Sequence, residues 1–280
     1  KGLGRTEDAA SAFKRVTELN PTYADGFNNL GATLQDQGKL DEAIAAYNKA
    51  LSIKPDHAAA HNNLGNTLQD QGKFNDAIGS YQRALKIKPD YAEAHNNMGN
   101  VLKDQGKFEE TIEAYQRALK FKPDYAEAHN NMGIVLKDQS KIEDAIGSYQ
   151  RALKFKPDYA DAHYNMGVTL QHQGKLNDAI EAYQRALKIK PDYAEAHNNM
   201  GIALQDQSKF KDAIEAYQCA LKINPDYAEA HNNMGIALQD QCKFEDAIEA
   251  YQRALKIKPD YAEAHNNMGN VLKDQGKFEE

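Results

Sequence analysis

Eight prolines, Pro21, Pro55, Pro89, Pro123, Pro157, Pro191, Pro225 and Pro259, stand 34 residues apart, and the 280-residue chain contains no others. An interval held this regularly marks an array of structural repeats, each too small to bury its apolar face except against its neighbours. The segment Asp-Tyr-Ala-Glu-Ala-His-Asn-Asn-Met-Gly returns from Asp90, Asp124, Asp192, Asp226 and Asp260, with near-copies from Asp56 and Asp158. Counted from the third residue after each proline, seven complete units run 24–57, 58–91, 92–125, 126–159, 160–193, 194–227 and 228–261. Residues 1–23 supply the second half of an earlier unit, and 262–280 the first half of a later one.

Each unit reads as two helices. In the unit from Ala92, small or apolar residues and one histidine fall at Ala92, His95, Met98, Gly99 and Leu102, close to the spacing of one helix face. A second face carries Phe108, Thr111, Ile112, Tyr115, Ala118 and Leu119. Gly106, between Gln105 and Lys107, offers the left-handed conformation that ends many helices. Pro123 stops the second helix. The spacing of Asp90 and Glu93 predicts a capping box for the first helix, as do the pairs Asp124/Glu127, Asp192/Glu195, Asp226/Glu229 and Asp260/Glu263.

Composition narrows the function. The net charge of −7 disfavours a nucleic-acid or anionic-membrane partner, both of which demand a basic footprint. No apolar run reaches the roughly 20 residues that span a bilayer. The two cysteines, Cys219 and Cys242, replace Arg and Gly or Ser of other units, without the paired spacing of a disulfide framework or metal site. The chain opens on Lys1 in mid-pattern and reads as a piece of a longer protein, with a cytoplasmic location expected.

The pattern resembles the tetratricopeptide repeat (TPR) family, which asks for a bulky residue at position 4, Leu at 7, Gly at 8, Tyr at 11, Ala at 20, an aromatic at 24, Ala at 27 and Pro at 32. The unit from Ala24 answers with Phe27, Leu30, Gly31, Leu34, Ala43, Tyr47, Ala50 and Pro55, and that from Ala194 with His197, Met200, Gly201, Leu204, Ala213, Tyr217, Ala220 and Pro225. The resemblance covers the whole chain. It implies an all-α solenoid of antiparallel helix-turn-helix repeats wound into a right-handed superhelix, with the first helices lining the concave surface. In such a stack Gly201, Ala213 and Ala220 let backbones approach and Tyr217 fills the space between units.

Family members present positions 2, 5, 6, 9, 12 and 13 on that inner surface. Position 6 is Asn in every unit: Asn29, Asn63, Asn97, Asn131, Asn165, Asn199, Asn233 and Asn267. Position 5 adds Asn62, Asn96, Asn130, Asn198 and Asn232, together with Asn28 and Asn266, and Tyr164 is its exception. Asn is a mediocre helix former, so a row of it has a conformational cost. Its amide both donates and accepts, matching the N–H and C=O of an extended backbone. The pattern is similar to the asparagine ladder in the tetratricopeptide arm of O-linked N-acetylglucosamine transferases. These Asn residues are therefore candidate peptide-binding groups; copying by repeat duplication and bracing between helices are the competing explanations. Position 13 is Asp in seven of eight units, from Asp36 to Asp274, and position 2 is mostly acidic, so a neutral or basic extended segment suits the groove best.

Catalysis finds no footing in these motifs. Seven histidines from His61 to His265 repeat every 34 residues, too far apart to share a metal whose ligands lie about 2 Å away, and they read as packing residues. No Gly-rich phosphate loop or nucleophile elbow occurs. The expectation is a non-enzymatic scaffold without cofactor or metal. Two alternatives stand beside it: the substrate-recruiting arm of a larger glycosyltransferase or sulfotransferase, implied by the resemblance, and head-to-tail self-association through the uncapped apolar ends. A chaperone-type carboxylate clamp is excluded, because position 2 carries acid or Ala where the clamp needs a base.

Overall fold

The computed structural model describes residues 2–274, with side chains from 6 to 273, so the last six residues of the partial unit 262–280 lie outside it. Sixteen α-helices and no strands make up the described chain. Two compact units divide it, Lys1–Val135 and Leu136–Glu280.

In the first unit, α1 (Gly2–Leu19) is followed by the pairs α2 (Ala24–Asp36) and α3 (Leu40–Ile53), α4 (Ala58–Asp70) and α5 (Phe74–Ile87), and α6 (Ala92–Asp104) and α7 (Phe108–Phe121). Helix α8 (Ala126–Asp138) spans the division. The second unit continues with α9 (Ile142–Phe155), α10 (Ala160–His172), α11 (Leu176–Ile189), α12 (Ala194–Asp206) and α13 (Phe210–Ile223). It closes with α14 (Ala228–Asp240), α15 (Phe244–Ile257) and α16 (Ala262–Asp274). From α2 onward each helix begins and ends at the same place in the 34-residue period, whereas α1 begins four residues earlier than the other second helices.

The turn inside each hairpin is a left-handed cap. At Gly106 φ is +72°, and the Lys107 N–H reaches back to the Leu102 carbonyl at 3.0 Å, closing the six-to-one bond of a Schellman motif. Ser140, Ser208 and Cys242 hold the same conformation at φ near +59° without glycine's freedom.

The start of the first helices differs from the expected capping box. The N-cap residues of α6, α12 and α14 are Tyr91, Tyr193 and Tyr227, and none makes a side-chain cap bond. Asp90, Asp192 and Asp226 lie one residue earlier, in the turn that the proline dictates, so their carboxylates are out of register with the helix. Glu93 instead pairs with Lys122 at the far end of its repeat, 2.9 Å away.

Packing rests on one knob per repeat. Tyr47, Tyr81, Tyr115, Tyr149, Tyr183, Tyr217 and Tyr251 are completely buried. The rings at Tyr47, Tyr81, Tyr115, Tyr183, Tyr217 and Tyr251 lie where a Cβ on Gly31, Gly65, Gly99, Gly167, Gly201 or Gly235 would stand, 2.5–2.7 Å from it at the closest. Glycine at position 8 is thus the socket for the position 24 ring. Around these knobs, Leu34, Ala43, Leu64, Ala77 and Val101 build the core of the first unit, and Leu170, Ala179, Ala203, Ala213 and Ala237 that of the second.

Within each unit the first helices also touch one another, α2 with α4, α4 with α6, and so on from α10 to α16. Among the described residues no second helix meets the next second helix in this way. The first helices therefore form the tighter rank.

Candidate peptide-binding face

The asparagines of the first helices are bonded to each other before any ligand is considered. In the first unit, Nδ2 of Asn131 donates to Oδ1 of Asn96 at 3.2 Å, Asn97 to Asn62 at 3.2 Å, and Asn63 to Asn28 at 3.1 Å. Within each repeat, Asn96 donates to Asn97, Asn62 to Asn63 and Asn28 to Asn29, each at 3.4 Å. The two sets join into one unbroken chain of amides from Asn131 to Asn29. Every amide in its middle donates and accepts, so each bond polarises the next.

The second unit repeats the scheme with two local changes. Asn267 donates to Asn232, and Asn233 to Asn198, both at 3.1 Å. Asn198 donates to Asn199 at 3.2 Å, and Asn199 donates to the hydroxyl of Tyr164 at 2.9 Å. Tyr164 therefore takes the acceptor's place that Asn holds in the other repeats. Nδ2 of Asn232 is buried without an acceptor.

The two Asn positions divide by burial. Asn62, Asn96, Asn130, Asn198 and Asn232 are 5% exposed or less. The structure therefore buries these five expected ligand groups, and the carbonyls of Asn62, Asn96, Asn198 and Asn232 accept from the next repeat and hold it in register. Position 6 lies at the edge of the seam: Asn63, Asn97, Asn131, Asn165, Asn199, Asn233 and Asn267 are half-buried, and Asn29 is exposed. The sequence could not separate the two positions, because identical side chains at adjacent places differ only in the direction the helix gives them.

Free bonding capacity then varies along the row. An amide group has two N–H donors and two acceptor lone pairs. Asn97 and Asn131 spend both donors, since each also bonds a position 9 asparagine, Asn66 or Asn100, at 3.0 Å. Those residues are already anchored by the hydroxyls of Tyr81 and Tyr115, 2.8 Å away. In the second unit the position 9 residues preceding Asn199 and Asn233 are Val168 and Ile202, which offer no acceptor, so each asparagine keeps one N–H beyond the seam bond.

The rest of the face is acidic at its margin. Asp36, Asp70, Asp104, Asp138, Asp206 and Asp240 are exposed, and His172 stands in the same row. Lys103 and Lys137 lie 3.8 and 3.3 Å from their adjacent aspartates, which tempers the charge locally.

The position 4 histidines serve the fold. Nε2 of His61, His95, His163, His197, His231 and His265 bonds the carbonyl of the proline six residues earlier at 3.0–3.1 Å. Burial pushes His61, His95, His163 and His231 below the usual histidine range, partly opposed by that bond. A neutral ring donating from Nε2 fits both facts. Among the described residues, no group of three or more His, Cys, Asp or Glu side chains could hold a metal.

Two braces, one between repeats and one within a repeat, escaped the sequence reading. Gln71, Gln105, Gln173 and Gln207 donate from Nε2 to Asp41, Asn75, Glu143 and Asn177 of the preceding repeat at 2.8–3.0 Å. In five repeats the lysine before the proline lies over the tyrosine three residues later, as Lys88 does over Tyr91 at 4.9 Å and Lys190 over Tyr193 at 4.3 Å. The Lys-Pro-Asp-Tyr string was visible as a signal for the second brace.

Comparison with known proteins places this architecture. Residues 34–72, 65–106, 99–140, 135–174, 172–208 and 243–276 match a family model described as TPR repeat. Residues 194–227 and 12–45 match two models described as tetratricopeptide repeat. No curated protein matches the chain. A chain of the APC/C hetero-tetramer Cut9-Hcn1 superposes with a TM-score of 0.71 at 18% identity, over 96% of this chain and 53% of that one. This chain thus spans about half the length of that neighbour. YrrB, a TPR protein with an unusual peptide-binding site, superposes with a TM-score of 0.52 at 26% identity, over 67% of this chain and 97% of that one. MamA gives 0.54 at 28% identity, over 59% of this chain and 97% of the other.

Proposed function

The chain belongs to the tetratricopeptide repeat family, whose arrays are protein-interaction scaffolds, and from that premise we propose that it grips an extended, neutral-to-basic segment of a partner along the position 6 asparagines. One observation carries the reading: in the row of position 6 amides, half-buried Asn199 and Asn233 each keep an N–H after the seam bonds are counted. Pre-positioned amides bind a backbone without first losing side-chain freedom, which spares part of the ordering cost of association. Because they meet backbone groups, they favour an extended segment with little regard to its side chains. The exposed aspartates at the margin steer toward neutral or basic segments. The neighbour YrrB, described as having a peptide-binding site, is consistent with this use of the fold. The grip itself involves no bond-making chemistry, and the scaffold acts by holding.

The test is calorimetric titration with an unstructured peptide and with its twin N-methylated at alternate residues. The native peptide is expected to bind and the methylated one to lose most of its affinity. Asn199→Ala with Asn233→Ala should weaken binding more than Asn97→Ala with Asn131→Ala, whose donors are already engaged within the seam. Equal binding of both peptides, or equal loss in both variants, contradicts the proposal.

A further inference from the structure

One repeat lacks a cation that the others supply for themselves. In the repeat 92–125, the ammonium of Lys122 sits 2.9 Å from a carboxylate oxygen of Glu93 and 4.4 Å from the centre of the Tyr125 ring. A carboxylate and an aromatic face thus share one lysine. The same lysine–tyrosine contact recurs at Lys88/Tyr91, Lys156/Tyr159, Lys190/Tyr193 and Lys258/Tyr261, at 4.3–4.9 Å.

In the repeat 194–227, the carboxylate and ring are kept as Glu195 and Tyr227, but the lysine position is Asn224. The Asn224 side chain turns onto its own loop, where Oδ1 accepts from the Asp226 N–H at 3.2 Å. It brings no charge to either neighbour. Glu195 is exposed and Tyr227 half-buried, so both can be reached from solvent.

A second departure from the repeat falls beside the first. Tyr164 replaces the position 5 asparagine, and its ring centre lies 4.8 Å from that of Tyr193. Burial, with the negative fields of Glu195 and Glu229, pushes the Tyr227 hydroxyl up to about 12. Glu195 also acts on Tyr164 and Tyr193. The surroundings therefore oppose further negative charge, and a cation over the tyrosine ring is the charge they favour.

We propose that Glu195 and Tyr227 form a site for a primary alkylammonium, the lysine side chain of the segment held on the first-helix face. This rests on the peptide-binding reading and adds to it a chemical requirement on the partner. Lysine is preferred over arginine because the sister repeat shows an ammonium satisfying this carboxylate and ring together. A cation over an aromatic face beside a carboxylate corresponds to a preference of about tenfold.

Asn224→Lys tests this directly, since it installs the residue that the other complete repeats carry and should fold normally. The probes are a flexible Gly-Ser peptide bearing one lysine, its acetyl-lysine twin and its arginine twin. The native chain is expected to bind the lysine peptide about tenfold more tightly than the acetyl-lysine peptide. Asn224→Lys should abolish that preference and leave the acetyl-lysine affinity unchanged. A preference that survives in the variant, or tighter binding of the arginine peptide, overturns the assignment. If all three peptides bind the native chain equally, the ammonium site fails while the groove stands. If none binds, the groove reading fails, and butylammonium titration followed by the Tyr227 ring signals in NMR decides the site: a shift in the native chain but not in the variant supports it, and no shift overturns it.

Discussion

Substituting Gly201 by Ala adds one methyl group where the structure leaves no room for it. The new Cβ would lie 2.6, 2.8 and 2.9 Å from Cε1, Cδ1 and Cζ of Tyr217, a ring that is completely buried and cannot swing aside. Overpacking of this kind costs about 1–3 kcal/mol, and three ring carbons at such distances place it toward the upper end. Ala is better than Gly inside a helix by about 1 kcal/mol, which offsets part of the loss. The expected net effect is a destabilisation of about 1–2 kcal/mol. Gly79→Ala and Gly147→Ala are the matched controls, because a Cβ at either site meets nothing within 4 Å. They keep only the propensity gain and should stabilise by up to about 1 kcal/mol each. Urea unfolding followed by circular dichroism gives the sign, and hydrogen exchange in α12 and α13 localises the loss, since repeat arrays open in parts. If Gly201→Ala stabilises as much as Gly79→Ala, the socket-and-ring account of repeat stacking is refuted.

Three further outcomes are expected. Ser140→Gly, Ser208→Gly and Cys242→Gly relieve left-handed backbone and should each raise stability by ~0.5–1 kcal/mol in urea unfolding; a loss would show that those side chains contribute contacts. The histidines His61, His95, His163 and His231 titrate below their ordinary 6.5 when folded, so their share of stability is complete above pH 6.5 and is lost as pH falls from there through the folded values; a melting temperature unchanged from pH 7 to pH 5 would contradict this. Asn97→Ala strands the buried Asn62 carbonyl and the buried Asn96 N–H, so it should cost about 1–3 kcal/mol by urea unfolding, against under 0.5 kcal/mol for the exposed Asn29→Ala.

The fold was legible because each of its devices has a residue type that little else can replace. Proline at every thirty-fourth position ends the second helix, and glycine at position 8 accepts the ring from position 24. The candidate site was legible only in part. Asn62 and Asn63 are the same residue type, and which one turns into the seam depends on where the neighbouring repeat lies, a tertiary fact. The capping boxes misled because Asp90 and Glu93 have the right spacing, yet the proline turn makes Tyr91 the cap and leaves Glu93 free to reach Lys122. The Glu195–Asn224 relation stayed hidden for a similar reason. It joins positions 2 and 31 of one repeat, 29 residues apart in sequence, and the fold brings such a pair together.

The most direct measurement follows the side-chain amide signals of asparagine by ¹⁵N NMR while an unstructured neutral peptide is added. The Nδ2 signals of Asn199 and Asn233 are expected to shift, while those of the buried Asn62, Asn96 and Asn198 stay in place. Binding that leaves Asn199 and Asn233 unmoved and perturbs only the second helices would contradict the grip.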